Sequence, residues 1–541
     1  MTTRRFPWIQ LIAIFLCFCL GGGMALAETP PATEVTSGPA TARFVPQQSP
    51  LLLSVNPKQL PDLESTTSLL QWPQVLLTNA GVNYARDLKP WVSDELMFAL
   101  TGPVPQHRYL FAVTTRGAKE SQACIEQIWQ QQVSAGQPLS FEQYSGISLI
   151  STQFKSPQPL ASEISGLQPF EGVSTAIVDD RYVLVANSAS VLRTAIDSRQ
   201  SESLTDTSDY QQAVTHLKQE PQDGFVYADL SAFSRLNSPP YRSLAVQLGQ
   251  TRQGLLAETV LVADSSHAKA LVTPTVTAPI RALDYIPASS PLVASGVNLQ
   301  QLWTQLSADL KGYDPLDQWV RNTLKQGGQQ WSIDLPREVF PNVTGEYAVA
   351  MLPNADPFTA AQNSFLGADW LFVHDDGGQE LTQVLDKAAQ KQNIGVIPYS
   401  LADHQVSTWA HLVSSETENS SKASSSMVLN AEVTGAFSVE ADHRILATSL
   451  EALKQGLTED AIANQKDFQA ALATLPAPNQ GYLYLDWTVM RPLLERKLPK
   501  LRQLETLLNP WSRRLTSVTL TNYGETPTTQ RSQMLLRFAD S

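Results

Sequence analysis

FVPQQSPLLLSVNPKQL, residues 44–60, recurs 241 positions later as YIPASSPLVASGVNLQQL, residues 285–302. With one gap at Gly296, 9 of 17 aligned positions are identical. Three further pairs follow in the same order. AIVDDRYVLVANSASVLRTAI (176–196) matches FSVEADHRILATSLEALKQGL (437–457), Asp209-Tyr210-Gln211 matches Asp467-Phe468-Gln469, and GFVYAD (224–229) matches GYLYLD (481–486). Solenoid units run to only about 20–50 residues, so collinear blocks spread this widely imply a duplicated domain. The expected division is a first repeat over 43–273, a linker over 274–283 and a second repeat over 284–541.

Each repeat is long enough to bury its own core. The 541 residues are 43% hydrophobic and only 16% charged. The start of the chain has the features of a signal peptide over 1–27. Arg4 and Arg5 precede an apolar run from Trp8 to Leu20, and Ala25-Leu26-Ala27 supplies the small-x-small cleavage pattern. The run is short for a membrane span, which needs about 20 residues; an uncleaved anchor is the alternative. Residues 28–42, rich in Pro, Thr and Ala, read as a disordered leader. Two of the three cysteines lie within the signal, which leaves Cys124 with no partner for a disulfide. The net charge is −13, and loss of Arg4 and Arg5 would make it −15, which argues against nucleic acid as a partner.

Short strands alternate with helices. Leu51 to Val55 reads as a strand, Glu95 to Leu100 and Tyr109 to Val113 as a strand pair, echoed by Glu346 to Met351 and Trp370 to Val373. Cys124, Ile125, Ile128 and Trp129 share one helical face, as do Leu381, Val384, Leu385 and Ala388. Short links between strands favour antiparallel pairing. The expected class is α+β: two tandem homologous domains, each a mainly antiparallel sheet packed with helices. Ser414 to Ser426 reads as a low-complexity surface loop.

The polar residues kept in both repeats are Asn56 and Asn298, Ser188 and Ser449, Asp209 and Asp467, and Asp229 and Asp486. Each stands at a helix start, where its side chain would accept a hydrogen bond from an unpaired first-turn amide. The alternative is a set of carboxylates gathered at one end of a sheet. No phosphate loop, dinucleotide fingerprint, nucleophile elbow or zinc helix is present. His374-Asp375-Asp376-Gly377-Gly378 is the most suggestive cluster, but the first repeat has Thr114-Thr115-Arg116-Gly117 there. His404 and His411 are seven residues apart. Cys124 reads as a buried structural thiol rather than a reactive one. Met490 to Arg514 concentrates seven Lys or Arg in an acidic chain, with leucines at helical spacing. Pro499 is expected to break or kink that helix. Its basic face is either solvated or a docking surface, and the candidate contact residues are Arg496, Lys497, Lys500 and Arg502.

The opening motif, an aromatic followed by [VI]-P-x-x-S-P-L, resembles an exported cyanobacterial family known only as a domain of unknown function. The match rests on Phe44 to Asn56 and Tyr285 to Asn298, with the stretch from Tyr182 to Ser188 in support. The resemblance implies a bacterial envelope setting (periplasm, thylakoid lumen or exterior) and supplies no catalytic residues. The resulting expectation is a non-enzymatic binding or scaffolding module with no catalytic, cofactor or metal residues. Its partner would be an envelope protein, a glycan or an anionic lipid surface. The alternatives are an exported hydrolase using His374 and Asp376, and a peripheral lipid-handling protein. Cleavage is expected between Ala27 and Glu28, so N-terminal sequencing of the exported chain should begin at Glu28. Recovery of Met1 would instead indicate the uncleaved anchor.

Overall fold

The structure, a computed structural model, describes residues 38–58, 86, 88–102, 108–134, 136–158, 170–217, 223–233, 239–263, 276–310, 314–329, 332–353, 368–375, 380–401, 403–417, 426–497, 514–526 and 528–539. The expected signal peptide and residues 28–37 of the expected leader lie outside these residues.

All described strands belong to one antiparallel sheet of twenty. The first half supplies β1 (Leu51–Val55), β2 (Val92–Thr101), β3 (Arg108–Thr115), β4 (Leu139–Tyr144) and β5 (Ile147–Gln158). It continues with β6 (Phe170–Val178), β7 (Tyr182–Ala186), β8 (Gly224–Asp229), β9 (Tyr241–Thr251) and β10 (Gly254–Ala263). Their spatial order is 4-5-6-7-3-2-1-8-9-10. The second half supplies β11 (Leu292–Val297), β12 (Glu346–Pro353), β13 (Ala368–Asp375), β14 (Gly395–Leu401) and β15 (His404–Thr417). It ends with β16 (Ser426–Glu440), β17 (His443–Ala447), β18 (Gly481–Asp486), β19 (Leu515–Thr526) and β20 (Thr529–Phe538). Adding ten to each number in the first series gives the order found here, 14-15-16-17-13-12-11-18-19-20. The α+β class therefore holds, with helices on both faces of an antiparallel sheet.

The helices sort by face because neighbouring strand residues point to opposite sides. In the first half, α1 (Ala118–Ser134) packs Cys124, Ile125 and Trp129 against Leu96, Val113 and Val183. On the other face, α2 (Ala189–Ser198) and α3 (Ser208–Thr215) cover Met97, Ala99, Ala112 and Leu184. In the second half, α4 (Leu299–Asp309) and α5 (Asp314–Gln329) have no counterpart among the described first-half residues. The helix α6 (Glu380–Lys391) takes the place of α1. The helices α7 (Leu450–Thr458) and α8 (Lys466–Thr474) take the places of α2 and α3, and α9 (Trp487–Lys497) follows β18.

The recurrent motif has a physical reason. Phe44 is fully buried and meets the Tyr182 ring edge-on, with centroids 5.0 Å apart. Tyr285 meets His443, the residue aligned with Tyr182, at 5.4 Å. The same backbone bonds hold both motifs: Leu204 N donates to Val45 O and Ile462 N to Ile286 O, each at 2.7 Å. The motif begins earlier than the sequence suggested. Ala40–Phe44 and Arg281–Tyr285 are 3-10 helices with buried residues, so the ends of the expected leader and linker belong to the core. Val276, further back in that linker stretch, is also buried and pairs with Asn479.

A carboxylate at the start of β2 or β12 secures each 3-10 helix. Glu95 accepts from the amides of Ala40 and Thr41 at 3.0 and 3.1 Å and from the Thr41 hydroxyl. Burial pushes its carboxyl above the usual range, and these hydrogen bonds pull the other way. Glu346 accepts from the Arg281 amide at 3.2 Å and stands 2.7 Å from His443 Nε2.

Two expectations about loops change. Ser414–Thr417 still belongs to β15 and Ser426 opens β16, so both ends of the expected surface loop are strand; residues 418–425 lie outside the described residues. His374 lies within β13, which runs on past the expected strand end at Val373. Phe44→Ala is expected to cost about 3–5 kcal/mol, the range for emptying a buried aromatic site. Tyr285→Ala should cost less, because that ring is only partly buried. Urea unfolding of both variants checks the order.

Candidate functional site

A buried polar cluster lies where the halves join. In the β10–β20 register Glu258 faces Gln533. Gln247 of β9 lies opposite Glu258, and Thr521 of β19 lies opposite Gln533. Directly opposed residues share a face, so these four form one row across the joint, and all four are buried. Arg531 Nη2 donates to Glu258 Oε1 at 2.7 Å, and the Tyr523 hydroxyl donates to the same oxygen. The Arg531 guanidinium stands 4.8 Å from the Tyr523 ring centroid. Burial and the Glu258 charge push the Tyr523 hydroxyl far above its ordinary range. The cluster therefore works as a clamp. Its carboxylate carries two charge-assisted contacts from the other half, and the phenol stays protonated as a donor.

The recurrent acids serve the fold. Asp229 accepts from the Ser231 amide and Asp486 from the Thr488 amide, both at 2.9 Å. Ser449 and Asn298 accept from first-turn amides of α7 and α4. Asn56 accepts from the Lys58 amide at 3.0 Å. The other expected caps differ. Ser188 makes no capping bond and pairs with the Ser190 hydroxyl. Asp209 and Asp467 lie inside the first turns of α3 and α8 and bind arginines of the sheet, Arg242 at 2.6 Å and Arg537 at 3.0 Å. They fasten a helix to the sheet, whereas a cap only closes a helix end.

His374 is buried on β13, with Nδ1 2.7 Å from the Asp375 carbonyl; Asp376 lies outside the described residues. His404 and His411 share β15 at an odd spacing, which sends their side chains to opposite faces. His404 instead pairs with Glu440 at 2.9 Å. Cys124 is buried in α1, as expected. Among the described residues no three His, Cys, Asp or Glu side chains form a metal-holding group. Arg496 and Lys497 end α9, while Lys500 and Arg502 lie outside the described residues. The proline within α9 is Pro492; Pro499, the expected breaker, also lies outside them.

The Glu258–Arg531–Tyr523 cluster escaped the sequence reading. Its members are up to 273 residues apart and are not shared between the repeats, since the counterpart of Glu258 is Gln533. One signal was available: a lone Glu within the apolar run GLLAETVLVA marks a charge that needs a buried partner.

The family model for a protein of unknown function, DUF3352, matches residues 9–538. The chain belongs to that family, in agreement with the expected resemblance to a domain of unknown function. No curated protein matches the chain. Among solved structures, crystal forms I, III and IV of TP0453 match at 10%, 9% and 10% identity, with TM-scores of 0.26, 0.26 and 0.24. They cover 43%, 44% and 41% of this chain and 82%, 83% and 79% of theirs. A likeness this weak bears on neither fold nor function.

Removing one partner of a buried ion pair leaves a charge without compensation and costs about 3–5 kcal/mol. Arg531→Met should show that loss in urea unfolding, because it leaves the buried Glu258 carboxylate unpaired; Glu258→Met should cost less, because the Arg531 side chain is 27% exposed. Replacing both with Met should recover much of it. Strictly additive losses in the double variant would show that the two side chains do not interact.

Proposed function

We propose that this DUF3352 chain is a tandem duplication of one α+β unit, exported to the cell envelope, that acts as a non-enzymatic scaffold. The observation that carries the reading is the use made of the recurrent acids. Glu95, Glu346, Asp229 and Asp486 hold backbone amides, and Asp209 and Asp467 hold arginines of the sheet. What the two halves have in common is thus spent on supporting a large sheet. At the usual strand spacing, twenty strands measure about 90 Å along the sheet. A continuous sheet of twenty strands suits a protein whose task is to hold other components apart or together. The matching strand order of the halves supports the duplication. The apolar run and small-x-small site at residues 8–27 support export, with the uncleaved anchor as its variant.

Arg496, Lys497, Lys500 and Arg502 would provide contact with an anionic envelope surface, either lipid or glycan. Screening confines their attraction to about 8–10 Å at physiological salt, so the surface must touch its partner. Each basic residue contributes about 1 kcal/mol against acidic lipid. The test is co-sedimentation with anionic vesicles. Wild type should bind at low salt and release as salt rises, and the variant with all four residues changed to Gln should not bind. Equal sedimentation of the two would overturn the surface-contact role. Hydrolytic turnover lost on His374→Ala would favour the hydrolase reading instead.

A further inference from the structure

We propose that β4 is a self-docking edge, through which two copies of the chain pair β4 against β4 and close into a dimer. Among the described residues the sheet has two outer strands, β4 and β14. Among the described residues β4 is bonded only to β5, and β14 only to β15. An outer strand presents unpaired amides and carbonyls, a template for a further strand unless something guards it.

The two ends differ in their guards. Pro398 sits in the middle of β14, opposite Ser407. A proline is admitted to a sheet where its missing N–H would have faced outward, so the outer edge of β14 lacks a donor midway along. The strand β4, LSFEQY, has no proline and no lysine. At its centre stands Phe141, 71% exposed, the most exposed large hydrophobic side chain among the described residues. In the β4–β5 register Phe141 lies opposite Ile150, which packs with Trp129 on the α1 face of the sheet. Val133, in the last turn of α1, is also exposed.

A second copy fits this edge for three reasons. The molecule already contains such a joint. At β10–β20, equivalent strands of the two halves meet edge to edge and antiparallel, with the equivalent positions Glu258 and Gln533 facing each other. Pairing β4 with β4 repeats that geometry at the far end of the same sheet. Next, the edge is complementary to itself. A two-fold axis at Phe141 sets the two rings directly opposite one another, where aromatic pairs stabilise a sheet. Glu142 then faces Ser140 of the other copy and avoids its own counterpart, and its carboxylate is already paired with Arg193 at 2.7 Å. Finally, the contact closes. It uses the same patch on both copies, and the Pro398 guard stops growth from the other end, so assembly ends at two.

Each copy carries −13, so long-range repulsion opposes the encounter and added salt should strengthen it. That is opposite to the salt response expected for the basic segment on vesicles, and the dimer does not depend on that reading. Sedimentation velocity of the purified full chain over a rising concentration series provides the test. The expected result is a monomer–dimer equilibrium with no larger species, shifted toward dimer by salt. Phe141→Lys should weaken it by about tenfold or more, since an edge lysine blocks strand addition. Val489→Lys, at an exposed position on α9, should leave it unchanged. Thermal melts by circular dichroism should show both variants as stable as wild type. A monomer at every concentration, a Phe141→Lys dimer as tight as wild type, or continued growth beyond two would each overturn the proposal.

Discussion

The hydrogen-bonded ladder between β10 and β20 is the constraint on which the rest of the molecule depends. Eight residue pairs run from Leu255 opposite Leu536 to Val262 opposite Thr529. Without that ladder each half would end in a bare strand, and the apolar cluster beneath it would be cut through. That cluster takes Leu51, Leu244, Ala257 and Leu261 from the first half, and Leu310, Leu520 and Met534 from the second. Apolar contact holds one face together. On the other, the buried row from Gln247 through Glu258 and Gln533 to Thr521 fixes the register. A slip by one residue would turn that row onto the opposite face and strand its charge in the hydrophobic cluster.

Matched positions in the two halves follow one plan with different side chains. The aromatic anchor is Phe44 on Tyr182 in one half and Tyr285 on His443 in the other. The acid that secures it is Glu95 in one and Glu346 in the other, with hydroxyl and backbone donors around the first and a histidine and an arginine around the second. The ring contact and the carboxylate thus recur in both halves, while the side chains around them differ. At the joint the matched positions face one another, and there the two halves had to differ. Two glutamates in direct opposition would repel; Glu258 opposite Gln533 avoids this and leaves Arg531 a single carboxylate to bind.

Much of this was legible in the sequence because it rests on local signals. The strand at Leu51 to Val55, the helix face carrying Cys124 and Trp129, and the caps at Asp229 and Asp486 each follow from spacing within a few residues. Strands β14, β15 and the start of β16 were hidden by Pro398 and by the Ser-rich stretch from Ser414 to Ser426, which read as a surface loop. Glu95 and Glu346 were not recognised, because they fall outside the aligned blocks and their partners are distant. The joint itself was out of reach. Its pairing lies between segments far apart in the chain, and the polar composition of β20 (TQRSQMLLRF) gives little sign of a buried strand. The repeats suggested two bodies with a linker, and strand pairing between the last strands of each is invisible to any periodicity.

The most direct test is amide hydrogen exchange, followed by mass spectrometry of peptides spanning β10 and β20. If the halves form one continuous sheet, both strands exchange as slowly as β1 and β2 in the interior of the first half, because opening either requires breaking the joint. Rapid exchange of β10 and β20 together, with β1 and β2 still protected, would contradict the account and leave two independent sheets.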